Sequence, residues 1–310
     1  MTQFLQTLFD GVTVGCLYAL IALGYTMVYG ILKFINFAHS DVFALGVWMS
    51  ITIAGWMGIG AAGQPTPPLY LALLVLLGTM VTCGAVGFTV ERLAYRPLRR
   101  APRLNVLITA IGVSLLLQNL GQRPFMFGPY PRSLPTLVES GTLFTVMGVP
   151  VRVSDVAVIG MALVLMTALQ ILIFRTKFGS AMRAVSFNTR TASLMGINAD
   201  RVISITFIVG TMLAAAAGFL YGMKYGGQAK QTADSMWVML GLKAFVAAVV
   251  GGIGNVRGAV LGGLLIGLIE FFGVAYLSSQ YRDAYVFAIL IAVLLLRPEG
   301  VLGRATVEKV

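Results

Sequence analysis

The sequence predicts an all-α, polytopic helical membrane protein of eight or nine spans, some of them discontinuous, in one transmembrane domain over residues 1–310. Three observations predict it. The chain is 58% hydrophobic and 11% charged, with a mean hydropathy of +0.90, far more apolar than a soluble domain. Apolar runs recur along its whole length at about the 20 residues that cross a bilayer. Lys and Arg gather in the short segments between those runs, where they set orientation. The net charge of +11 therefore belongs to membrane topology and to contact with membrane lipid, and no nucleic-acid partner is predicted. Cys16 and Cys83 lie in apolar runs and imply no disulfide framework.

In chain order, residues 1–10 form a short amphipathic lead-in without a basic leader region, so the first run, 11–30, is read as a retained span. Residues 31–41, ILKFINFAHSD, set Lys33, Asn36, His39 and Asp41 between apolar stretches; they either break one helix or separate two. Residues 42–59 are apolar again, and 61–68, AAGQPTPP, read as a turn-rich loop. A span follows at 69–90. Residues 91–103, ERLAYRPLRRAPR, hold five arginines, with Pro97 and Pro102 to break any helix; Glu91 beside Arg92 reads as a membrane-edge ion pair. The span at 105–120 ends with Gln118 and Asn119, residue types suited to interhelical hydrogen bonds. After the Pro- and Gly-rich loop at 121–153 come runs at 155–174, 203–223, 236–253, 258–277 and a short one at 284–296. Alternating the spans puts Lys33, the 92–103 and 175–201 segments, Arg257 and the C-terminus on one side, with most of the 22 Lys and Arg. That side is the cytoplasm, so the C-terminus is predicted inside.

Residues 175–202 are the longest polar interruption with a helical pattern of its own. Arg175, Lys177, Arg183, Arg190 and Arg201 face a single acid, Asp200. Asn188 is placed to N-cap a short helix over 189–195, and Gly196 to end it. Ala192, Leu194 and Met195 give that helix an apolar side, and Asn198 or Asp200 starts the next span. Such an element suits docking of a soluble partner; a solvated basic loop fits the spacing as well.

Two stretches resemble interruptions of membrane helices: 36–41 and the glycine-rich 251–258, GGIGNVRG. The second reads better as a tight turn with close packing. The first is predicted to line or gate a translocation path with Asn36, His39, Ser40 and Asp41: Asn36, His39 and Ser40 can cap a helix end, and Asp41 can cap it or line the path, with Lys33 its nearest partner in sequence. His39 is the only histidine, which excludes a multi-His metal site. Lys243 and Glu270 lie in consecutive runs around the 254–258 turn. An antiparallel hairpin brings them to one depth, roughly 20 Å from the turn. Each alone costs about 3 kcal/mol in hydrocarbon, so a structural ion pair is predicted.

The chain has no Gly-Lys dipeptide and hence no P-loop, no HExxH and no GxSxG elbow. Glu270 is the only acid well inside an apolar run, where an ion-driven carrier usually needs several. The pattern is that of a pore-forming subunit whose energy is supplied elsewhere, with a stand-alone secondary carrier as the rival.

Five segments carry a family resemblance over nearly the whole chain: GVTVGCLYALIALGYTMVYGILKFINFAHSDVFALG, ERLAYRPLR, ASLMGINADRV, KAFVAAVVGGIGNVRGAVLGGLLIG and the ending RPEGVLGR. The chain resembles the LivH-type permease subunits of branched-chain amino acid ABC importers. One departure is Ser40, where the family usually has Gly after Asn-Phe-Ala-His. The resemblance implies a bacterial inner-membrane protein that pairs with a second, LivM-like permease, two cytoplasmic ATPase subunits and a periplasmic substrate-binding protein. It implies no cofactor on this chain, ATP being used by the partners. It also makes 175–202 the coupling loop seated on an ATPase, with Arg183, Asn188, Ala192, Leu194, Met195, Gly196 and Asn198 as its candidates. Similar permeases serve urea or short amides, which is the alternative substrate class.

Overall fold

The structure is a computed structural model that describes residues 2–59, 66–99, 101–138, 141–225 and 236–303. Most of the predicted 61–68 loop, Lys230 and the chain past Gly303 lie outside the described residues. Eleven α-helices and one hairpin make up the described fold: α1 (Thr2–Leu32), α2 (His39–Trp56), α3 (Leu69–Val90), α4 (Arg103–Gly121), β1 (Thr142–Val146), β2 (Val149–Arg152), α5 (Val153–Arg175), α6 (Lys177–Phe187), α7 (Thr189–Leu194), α8 (Ala199–Tyr225), α9 (Met236–Gly251), α10 (Val256–Tyr276) and α11 (Arg282–Leu296). Seven of these helices are long and apolar enough to cross a membrane: α1, α3, α4, α5, α8, α10 and α11, the last taken with the 3-10 turn (Ser279–Tyr281) that leads into it. The shorter α9 and the polar-started α2 pack among them.

Helix α1 is the axis of the bundle. The separate lead-in expected at residues 1–10 is part of it, with Gln6 Nε2 donating to Asp10 Oδ2 at 2.9 Å across one turn. Its most apolar stretch is 94% buried, against α10, α8, α9 and α5. Apolar residues all round a helix are what full enclosure requires. Contact with α10 is backbone to backbone. A Cβ added to Gly267 would stand 2.5 Å from Gly15 Cα, and one added to Gly263 would stand 2.4 Å from the Ala19 nitrogen. Small residues four apart on both helices permit this approach, which supplies dispersion contact where lipid offers no hydrophobic drive. Gly267→Leu is therefore expected to abolish the monodisperse peak of detergent-solubilised protein in size-exclusion chromatography, whereas Gly112→Leu on α4, where an added Cβ meets nothing, leaves it intact.

The helical path of α3 runs on past Val90, where the span was expected to end, and stops beside Pro97. It continues through a π-helical turn (Glu91–Tyr95) into a 3-10 turn (Arg96–Leu98). Pro97 stands at the start of that last turn, where its missing N–H is not needed; Pro102 then precedes α4. The long 121–153 loop contains a feature absent from the sequence reading, the β1–β2 hairpin. Its two-residue turn, Met147-Gly148, has positive φ at both positions, the geometry of tight two-residue hairpins.

The 251–258 stretch is a tight turn between α9 and α10. Gly252 and Gly254 adopt positive φ, and Asn255 Oδ1 accepts from the Arg257 and Gly258 nitrogens to cap α10. The C-terminal segment closes over it: the Val301 nitrogen donates to the Val250 carbonyl at 2.8 Å and the Leu302 nitrogen to the Gly251 carbonyl at 3.1 Å.

Candidate functional site

Three groups of polar residues stand out against the apolar bundle. The first surrounds the start of α2. Helix α1 ends at Leu32, Lys33 takes a left-handed conformation, and the chain runs through Phe34–Ala38 before α2 begins. His39 lies beside Gly24 of α1, which itself packs against Gly210 of α8, and Ser40 lies beside Gly241 of α9. These contacts lie roughly 12 to 17 Å of helix rise inside the ends of α1, α8 and α9 on that side. The start of α2 is thus deep within the bundle.

Asn36, His39, Ser40 and Asp41 are all buried, each with no more than 4% exposure. None of them caps α2: its N-cap, Ala38, has no side-chain partner. The Asn36 amide oxygen accepts from the Tyr95 hydroxyl at 2.6 Å, and Ser40 Oγ donates to the Phe37 carbonyl at 2.9 Å. The side chains reach sideways and backwards, so the capping expected of them is not what they do. Asp41 Oδ1 accepts from Gln118 Nε2 at 2.8 Å, so its partner is α4 and not Lys33. Lys33 instead extends over the Tyr29 ring. Asp41 Oδ2 and both His39 ring nitrogens are buried without a hydrogen-bond partner among the described residues. Buried polar atoms are seldom left so.

The second group is the 175–202 segment. It holds two helices where one was expected. Thr176 caps α6 by accepting from the Gly179 nitrogen, and Arg183 ties α6 back to α5 by donating to the Ile173 carbonyl and lying over Phe174. Asn188 caps α7, its Oδ1 accepting from the Thr191 nitrogen at 3.0 Å. Gly196, at φ +83°, ends it: the Gly196 nitrogen donates to the Ser193 carbonyl and the Ile197 nitrogen to the Ala192 carbonyl, each at 3.1 Å. That pair of bonds is the Schellman stop. Asn198 Oδ1 accepts from the Arg201 nitrogen at 3.0 Å and starts α8. Leu194 and Met195 are exposed, but Ala192 is 4% exposed and packs inward. Phe187 is a further exposed apolar residue of this segment, at 94%; the sequence reading missed it because it lies before the cap, on α6.

Behind this segment Glu91, fully buried in the π-helical turn, accepts from Ser204 Oγ at 2.6 Å and pairs with Arg99. The expected partner, Arg92, adjoins it in sequence, but the tightened chain returns Arg99 to it instead. Arg99 also pairs with Asp200, as does Arg96 at 2.7 Å. Asp200 therefore ties the start of α8 to the end of α3.

The third group joins the middle of α9, the second half of α10 and the start of α11. Lys243 Nζ is 2.8 Å from Glu270 Oε1, and the two are 5% and 0% exposed. More converges there than spacing alone indicated. The Tyr18 hydroxyl donates to Glu270 Oε2 at 2.7 Å, Arg282 pairs with Glu270, and Lys243 also lies 2.5 Å from Asp283. Two cations and two anions balance, which a buried cluster needs.

Seven long apolar helices, a helix start enclosed at depth and a capped helical pair define a multi-pass helical membrane protein. Residues 7–294 match the family described as the branched-chain amino acid transport system / permease component. BraD, a high-affinity branched-chain amino acid transport system permease protein of Pseudomonas aeruginosa, is 41% identical, with 99% of this chain and 98% of that protein covered. LivH, the protein of the same description in Escherichia coli K12, is 41% identical, and LivH of Salmonella typhimurium is 42% identical, each with 99% of this chain and 98% of the relative covered. The chain belongs to this family of permease components. It is a multi-pass inner-membrane transport subunit of the kind that works with ATPases and a substrate-binding protein.

Proposed function

We propose that the chain is the permease subunit of an ABC importer that carries branched-chain or related hydrophobic amino acids, driven by ATP hydrolysis on partner subunits. The observation that carries this reading is the full-length similarity, at 41–42% identity, to permeases described for branched-chain amino acids. It disfavours the urea and short-amide alternative. The chain holds no nucleotide site of its own, and it pairs with a second, LivM-like permease, two ATPases and a periplasmic binding protein. The end bearing α6, α7, Arg257 and the C-terminus faces the cytoplasm, by the distribution of basic residues.

The 175–202 segment is the coupling element. Its outer face, Phe187, Leu194 and Met195, seats on an ATPase, while the caps of α7 and the Arg183 clamp keep it rigid. Motion of α7 passes to α8, then through Asp200 to Arg96 and Arg99, along the π-helical turn to Tyr95, and by the Tyr95–Asn36 hydrogen bond to the start of α2. Ser186 Oγ, which donates to the Gly30 carbonyl at 2.7 Å, gives α6 a direct hold on the end of α1. The enclosed start of α2 is the part of the path that opens. There Asp41, with one oxygen unpartnered among the described residues, is poised for a substrate ammonium group.

Uptake of radiolabelled leucine into proteoliposomes tests the function. It is expected only with ATP, both ATPases and the binding protein; uptake by the permeases alone, driven by an ion gradient, identifies a secondary carrier. Asp41→Asn keeps an acceptor for Gln118 and is expected to reduce that uptake about tenfold or more, the loss of one charge-assisted contact. Assembly should be unchanged. Parental uptake in this variant removes Asp41 from the path.

A further inference from the structure

A cleft of about 580 Å³ opens at the proposed cytoplasmic end, between α1, α5, α6 and the α9–α10 turn. Lys33, Arg183 and Arg257 line it, and among the described residues no Asp or Glu does. Neither Lys33 nor Arg257 takes part in an ion pair among the described residues. Arg183 and Arg257 both lie 5.8 Å from the centroid of the Phe174 ring. The charges thus come from three separate elements and meet over one cavity.

The inner wall supplies a second observation. Thr13, Thr79, Thr206 and Thr211, buried like Thr26, spend their hydroxyls on the carbonyl one turn back. Thr26, which lines the cleft and is 1% exposed, does not; its Oγ1 has no partner among the described residues. The wall therefore presents a polar atom in search of one, beneath a rim of positive charge. Between them the surface is apolar, with Met27, Phe174 and Met182. Phe174 is itself half exposed near the end of α5, a span whose most apolar stretch is only 22% buried. The cleft accordingly adjoins a helix that faces outward over most of its length.

We propose that this cleft binds the phosphate of an anionic phospholipid headgroup from the cytoplasmic leaflet. Lys33 and Arg257 hold the phosphate, Thr26 meets a glycerol or ester oxygen, and the apolar wall takes the start of the acyl chains. Basic pockets between membrane helices at the cytoplasmic surface suit this chemistry, at about 1 kcal/mol for each cation near the lipid. A soluble phosphate ester has the same charge but nothing for the apolar wall. The proposal rests on the cytoplasmic orientation given above, and on nothing about the substrate.

Native mass spectrometry of the purified complex tests it, with titrations of phosphatidylglycerol, phosphatidylethanolamine and glycerol 3-phosphate. Phosphatidylglycerol is expected to bind in preference to phosphatidylethanolamine. Lys33→Gln/Arg257→Gln should weaken it about tenfold or more, the loss of two such cations. Arg190→Gln/Arg201→Gln removes equal charge from exposed positions away from the cleft and should leave binding unchanged. Equal weakening in both double variants, or no lipid preference, overturns the site. Glycerol 3-phosphate binding as tightly as the lipid overturns the lipid assignment. Binding is read without transport, so its failure leaves the proposed function standing, and a failed uptake assay leaves the binding test readable.

Discussion

Glu270→Gln is expected to destabilise the solubilised permease by about 3–5 kcal/mol, the cost of breaking a buried charge cluster by removing one partner. Lys243, Arg282 and Tyr18 all converge on this carboxylate, so its loss leaves Lys243 buried with only Asp283. Lys243→Gln should cost less, because Arg282 and Tyr18 remain on Glu270. Asp283→Asn should cost least, since the Asp283 side chain is 50% exposed. Thermal unfolding in detergent checks the order. The exchange Lys243→Glu/Glu270→Lys is expected to give no rescue, because the relocated lysine would face Arg282. Recovery of parental stability in the exchanged protein would show that the pair acts alone and that Arg282 and Tyr18 are incidental.

Leu194→Asp is the second large effect. Leu194 is 81% exposed, so the fold has little to lose, within about 0.5 kcal/mol for a surface position. A carboxylate in the face proposed to meet the ATPase should nonetheless cut transport about tenfold or more, as charge desolvated at an interface does. The readout is the ratio of leucine imported to ATP hydrolysed in proteoliposomes, with unfolding measured in parallel. Ala192→Asp makes the contrast. It forces a charge into the packed side of α7 and should lower stability first. Parental coupling in Leu194→Asp would remove this face from the ATPase contact.

Much of this architecture was legible because its causes are local. Span lengths follow from apolar runs, and the caps at Asn188, Gly196 and Asn198 follow from hydrogen bonds within a few residues. Lys243 and Glu270 were legible as a pair because a tight glycine turn fixes the depth of its two helices. Arg282 and Tyr18 were not, since their approach depends on how α11 and α1 pack against that hairpin. The Glu91 pairing was misread for a related reason: the π-helical turn changes the angular count, so neighbours in sequence do not predict neighbours in space. Helix α6 was hidden in a segment whose charge resembled a loop, and the β1–β2 hairpin in a stretch of Pro and Gly. The side of α7 that Ala192 occupies depends on α6, which the 189–195 pattern does not contain. At the start of α2 the polar residues were visible but their directions were not, because a helix break at depth is set by the helices around it.

Site-directed cross-linking from α7 tests the central claim most directly. Single cysteines at positions 187, 192, 194 and 195 are introduced in a background without Cys16 and Cys83, with a further one at the exposed hairpin residue Met147. The assembled importer is treated with a short bifunctional thiol reagent. The account predicts adducts to an ATPase subunit from 187, 194 and 195, in yields that change with nucleotide, and none from 192 or 147. Adducts from 147, or none from the α6–α7 positions in any nucleotide state, would contradict it.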